Sequence, residues 1–230
     1  MSKYLRFGLS VLGLALLLSV VSVPNAQGQI REVLKRMDLN NKSLQSLKAD
    51  VTMVKTNSQL GVFDTTIGTT SYLPKAGSRV RYIRIDWTKP VEEQISVIGD
   101  KYELYRPRLN QVITGTTNSA KNNASVGGAL TFMSMSKDQL NASYEVVYIG
   151  EEQLKGGTLA WHLQLTPRTA TTYKTAEIWV DGDGMPRQAK INEQNNDSTT
   201  VLLANIQKNI TLKGEIFKLN YPSSVKKIKS

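Results

Sequence analysis

A period of two in the apolar residues, broken by tight-turn chemistry, constrains this chain more than any other feature. In Lys174–Val180, Ala176, Ile178 and Val180 fall on one face, and Thr175, Glu177 and Trp179 on the other. Successive side chains of an extended backbone point to opposite sides, so this spacing predicts a half-buried strand. Asp181-Gly182-Asp183-Gly184 then supplies the Asp-Gly chemistry of a hairpin. Arg187–Glu193 returns, and Thr199–Ile206 follows the polar Asn195-Asn196-Asp197. A further strand and a basic tail complete the run to Ser230.

The same rhythm extends upstream. Leu47, Ala49, Val51 and Met53 alternate with Lys48, Asp50 and Thr52. Strand-like runs follow at Thr65–Leu73, Arg79–Trp87, Glu93–Val97, Tyr102–Tyr105, Gln111–Thr114, Tyr144–Ile149 and Thr158–Leu165. Turn signals at Lys75-Ala76-Gly77, Gly99-Asp100 and Gly156-Gly157 separate several of them. Before the first strand, Ile30, Val33, Leu34 and Met37 recur at helical spacing, which predicts an amphipathic helix over Ile30–Leu39, continuing toward Leu44. The expected class is mainly β (α+β): one incomplete antiparallel β-barrel or strongly curved sheet behind an N-terminal helix.

The amino terminus indicates the compartment. Lys3 and Arg6 precede an uncharged apolar run from Phe7 to Val23, and Ala26-Gln27-Gly28 follows. This layout predicts a secretory signal peptide over residues 1–28, cut after Gly28 or after Ala26; an uncleaved anchor is the alternative. Residues 29–230 then form one domain. The chain has no cysteine, which excludes disulfides and thiol chemistry. Its net charge of +10 suits anionic membranes or acidic partners. The basic residues are dispersed rather than clustered, which argues against nucleic acid.

One segment departs from the strand pattern. Thr116–Ser143 begins polar and glycine-rich, then turns apolar through Leu130, Phe132, Met133, Met135 and Leu140. A short-helix lid suits it, since methionine adapts its shape to variable apolar ligands. A connecting helix packed on the sheet is the plainer reading. His162, the single histidine, alternates to the polar side of its strand and is expected to be exposed, with no catalytic triad or metal set around it. No catalytic residue, metal ligand or cofactor is expected. Strand parity assigns Val51, Met53, Ile83, Ile85, Trp87, Tyr102, Leu104, Trp161, Leu163, Ile178 and Val180 to one inner face, with Phe132, Met133 and Met135 covering it.

The order of these elements resembles a known family. The segments "RVRYIRIDWTKPVEEQISVIGDKYELYRPRLNQV" and "EIWVDGDGMPRQAKI", with the later Asn205-Ile206-Gln207, are similar to the outer-membrane lipoprotein carrier family (LolA-like proteins). The resemblance implies an incomplete barrel with an apolar cavity under a lid. It implies a periplasmic, non-enzymatic carrier, a monomer without cofactor, that moves acyl chains of lipoproteins from an inner-membrane lipoprotein-releasing transporter to an outer-membrane receptor. A lipid-sensing or regulatory binding module of the same fold is the alternative. The family also has an arginine that ties barrel to lid. Arg79 stands at that position by counting back from Pro90, and Arg81 shares its strand face.

Overall fold

The structure is a computed structural model that describes residues 26–74, 81–116 and 135–229. Helix α1 (Ala26–Ser43) is followed by β1 (Leu47–Asn57), β2 (Val62–Leu73), β3 (Tyr82–Lys89), β4 (Glu93–Ile98), β5 (Lys101–Arg106) and β6 (Gln111–Thr116). A short helix α2 (Lys137–Ser143) leads into β7 (Tyr144–Gln153), β8 (Leu159–Pro167), β9 (Tyr173–Asp181), β10 (Pro186–Glu193), β11 (Ser198–Lys208) and β12 (Lys226–Lys229). The strands form a single open, curved sheet in the order β12-β6-β5-β4-β3-β2-β1-β11-β10-β9-β8-β7. It consists of two meanders, β1–β6 and β7–β11, joined by the antiparallel pairing of β1 with β11, where Val51 faces Leu203.

The last strand departs from the antiparallel rule. Residues 209–225 contain no strand, and β12 forms within the basic tail, parallel to β6. The intervening segment crosses the convex face of β3–β5. Phe217, fully buried, stacks at a tilt on Tyr82 with ring centroids 5.5 Å apart. The Ser96 hydroxyl donates to Phe217 O, and Arg84 Nη1 donates to Lys218 O at 3.1 Å. These contacts convert one stretch of the convex surface into a second buried layer.

The main core lies between α1 and the concave face. Ile30, Val33, Leu34, Met37 and Asn40 are the buried side of α1, as a 3.6-residue repeat requires. The helix begins four residues before the expected Ile30. Asn209 completes its end: its side-chain Oδ1 accepts from Gln45 N at 2.8 Å, and its Nδ2 donates to Ser43 O at 3.3 Å. A positive φ of 59° turns the chain there, a conformation asparagine tolerates. Asn205, also at positive φ, donates to Asp50 Oδ2 at 2.6 Å beside the β1–β11 bulge.

Two glycines allow close approaches. A Cβ on Gly184 would lie 2.3 Å from the Arg36 carbonyl, and its φ is +81°. Only glycine lets the β9–β10 turn touch the helix backbone there. A Cβ on Gly68 would lie 2.2 Å from Asp86 O, at the irregularity between β2 and β3. Among the described residues, no helix is long and apolar enough to cross a membrane.

Candidate functional site

Register places the expected apolar residues on one surface. Val51 faces Gly68, and Gly68 faces Trp87. Ile85 aligns with Ile95 and Leu104; Ile83 aligns with Val97 and Tyr102. Across the other meander, Leu163 faces Ile178 and Trp161 faces Val180. Antiparallel partners point to the same side, so all of these side chains, with Met53, share the concave face. Met135 packs against the same core, and its carbonyl accepts from Asn41 Nδ2 of α1 at 3.0 Å. Phe132, Met133 and Arg79 lie outside the described residues.

Most of this surface is filled. Val51, Met53, Ile85, Trp87, Leu163, Ile178 and Val180 are buried in one core with the apolar face of α1. The Arg36 guanidinium lies 5.0 Å from the Trp161 ring centroid and donates to Gly182 O at 2.9 Å, fastening α1 across β8 and the β9–β10 turn. The open space lies beside the C-terminal end of α1, against β1, β2, β3 and β11. This cavity of about 140 Å³ is lined by Leu44, Leu47, Tyr72, Ile83, Met185 and Leu203, with Asn41, Thr70, Pro74 and Arg81. Of the residues singled out from sequence, it gathers Ile83 and Arg81.

Tyr72, Leu203 and Met185 were not singled out from sequence. Leu203 carried a usable signal, since it shares parity with Val201 on a clear strand. Tyr72 did not, because its same-face neighbours Gly68 and Thr70 break the apolar alternation. Met185 is brought in by the Gly184 turn. Arg81 stands just before β3, and its carbonyl accepts from Gly99 N at 2.8 Å. Burial pushes the Tyr72 phenol up, with the Arg81 charge acting against it. A second depression of about 190 Å³ lies at the far end of β1, with mainly polar walls that include Lys55, Asp64, Glu193 and Asp197. It offers no continuous apolar wall.

The convex face corrects one expectation. His162 is only 7% exposed, not open to solvent. Its ring stacks on Trp179 at a centroid distance of 4.2 Å. Its Nδ1 lies 2.6 Å from Glu152 Oε1 and its Nε2 2.8 Å from Glu177 Oε2. Trp179 Nε1 donates to Glu152 Oε2 at 2.9 Å, and Asn192 Nδ2 donates to Glu177 Oε1 at 2.7 Å. The set ties β7 to β8, β9 and β10. Among the described residues, no group of three or more His, Cys, Asp or Glu side chains is placed to hold a metal ion.

A curved sheet with a helix along its concave face and an apolar cavity beside that helix defines a fold class suited to enclosing an apolar group. The sequence model described as "Outer membrane lipoprotein carrier protein LolA" matches residues 42–220, and the chain belongs to this family. The fold is similar to that of an uncharacterized conserved protein from Thermus thermophilus: TM-score 0.55, 13% identity, covering 88% of this chain and 99% of that one. A putative outer membrane lipoprotein-sorting protein domain from Vibrio parahaemolyticus matches with TM-score 0.43 and 14% identity, over 84% of this chain and 97% of that one. Mycobacterium tuberculosis lipoprotein LppX matches with TM-score 0.46 and 16% identity, over 80% and 98%. A search of curated proteins found no match.

Proposed function

We propose that this protein is a non-enzymatic carrier that shields the acyl chain of a lipoprotein or another lipid between α1 and the concave face of its sheet. It works in the periplasm, reached through the signal peptide at residues 1–28. It receives cargo from an inner-membrane transporter and delivers it to an outer-membrane receptor. The observation that carries this reading is the apolar cavity walled by Leu44, Leu47, Ile83 and Leu203 at the end of α1. Membership of a family described as outer membrane lipoprotein carriers supports a carrier role.

Burial of each CH₂ stabilises the bound state by about 0.8 kcal/mol, so a long acyl chain contributes on the order of 10 kcal/mol before ordering costs. The cavity of about 140 Å³ is smaller than the roughly 300 Å³ at which drug-sized ligand pockets begin. Loading therefore displaces something that now covers the concave face. The end of α1 borders the cavity through Asn41, with Leu44 just beyond the helix. Re-packing of that cover on an emptied sheet then favours release. Protein purified from its native compartment should carry acylated protein or lipid, detectable by mass spectrometry. Repeated recovery of empty protein, joined to failure to bind an acyl probe, would remove the proposal.

A further inference from the structure

The cavity beside α1 has one charged residue in its lining that a hydrocarbon chain does not use. Arg81 stands there, and among the described residues no Asp or Glu lines the cavity. Arg81 is exposed, and among the described residues its guanidinium has no hydrogen-bond or ion-pair partner. Two other arginines of this meander differ. Arg84 holds Asp86 at 2.6 Å and also the Lys218 carbonyl, and Arg106 holds Glu93 at 3.0 Å. Tyr72 lines the same cavity, its hydroxyl near enough to Arg81 to feel its charge and without a hydrogen-bond partner among the described residues. Ile83, Leu47 and Leu203 line the same cavity. A guanidinium and a phenol lining an otherwise mainly apolar cavity complement a small oxyanion attached to an alkyl chain.

We propose that this cavity selects an amphiphile with an anionic head, carboxylate or phosphate, which seats its tail against Ile83 and Leu203 and its head on Arg81 and the Tyr72 hydroxyl. The inference rests on the carrier reading above and narrows its cargo. It also gives Arg81 a role different from a lid latch: the guanidinium binds the ligand rather than the cover.

The test compares cis-parinaric acid with its methyl ester by fluorescence titration of the mature chain. The two probes share a tail and differ only in head charge. One charge-assisted contact should make the acid bind about tenfold tighter than the ester. Arg81→Gln should bring the acid down to the ester and leave the ester unchanged. Tyr72→Phe should weaken the acid several-fold with little effect on the ester. Competition by dodecanoate and by dodecyl phosphate, with dodecanol as the neutral control, shows which head is preferred, and displacement by either anion above dodecanol supports the proposal. Equal binding of acid and ester overturns head selection but leaves acyl binding intact. Equal weakening of both probes by Arg81→Gln overturns it in favour of a latch. Binding of neither probe removes the carrier reading itself.

Discussion

His162 Nε2 lies 2.8 Å from Glu177 Oε2, while its other ring nitrogen lies 2.6 Å from Glu152. A neutral imidazole has one N–H, so two ionised carboxylates are both satisfied only by the imidazolium. Burial opposes that charge, but the hydrogen bonds to Glu177 and Glu152 outweigh it and raise the His162 pKa above its ordinary 6.5. The bond to His162 is the main reason the Glu177 carboxyl is held down at about 2, against the cost of burial.

These shifts set a pH window. The histidine contribution is fully present below pH 6.5 and is lost as pH rises through the raised folded value. The Glu177 contribution is present above pH 4.5 and is lost as pH falls toward 2. Both operate together between pH 4.5 and pH 6.5. The difference in melting temperature between wild type and His162→Gln should be largest in that window and shrink at alkaline pH. A difference that stays constant from about pH 5 to about pH 9 would show that the imidazolium does not hold these strands.

Gly184 should tolerate no side chain. Its left-handed backbone, and the 2.3 Å that would separate an added Cβ from the Arg36 carbonyl, make Gly184→Ala destabilising by more than about 1 kcal/mol. Urea unfolding reads this directly. Gly182→Ala, two residues away with open space around its Cβ, should cost much less.

Ile178 and Trp179 are neighbours on opposite faces, and both are buried. Ile178→Lys places a charge in the core under α1 and should prevent folding. Trp179→Ala removes the stack on His162 and the bond to Glu152, costing about 3–5 kcal/mol. The convex face is therefore not a neutral control for stability. It remains one for ligand affinity: folded Trp179→Ala should bind cis-parinaric acid as wild type does, measured at a temperature where both are native.

The C-terminal strap should open before the rest of the sheet does. Phe217→Ala removes its fully buried ring from the convex layer and should cost about 3–5 kcal/mol. Limited proteolysis should then cut first within residues 209–225. Cleavage that begins in β8–β10 instead would contradict the separation of the two layers.

Local pattern alone revealed a great deal. Strand-like runs, with period-two alternation clearest in β1 and β9, located each strand from β1 to β11 within a few residues. The 3.6-residue repeat of Ile30, Val33, Leu34 and Met37 located α1. Parity assigned Val51, Ile85, Leu163 and Ile178 to a common face before any pairing was known. The order of the motifs was enough to suggest the family. By contrast, β12 was hidden in Lys226–Lys229, a charged tetrapeptide whose pairing with β6 depends on a chain returning from the far side of the sheet.

Which part of the apolar face stays open was not legible in this way. Strand parity cannot distinguish a side chain under α1 from one beside it, so Val51 and Ile83 looked alike. One is fully buried in the core and the other borders the cavity. Nor can parity foresee that a polar-face histidine will be buried, because Glu152, Glu177 and Trp179 converge on His162 from strands that only the register brings together. Alternation is a property of a few consecutive residues, so strands, helix and face could be read from the chain alone. Enclosure depends on groups distant in sequence, so the cavity, the arginine that lines it and the clamp on the histidine exist only once the sheet has curved around α1.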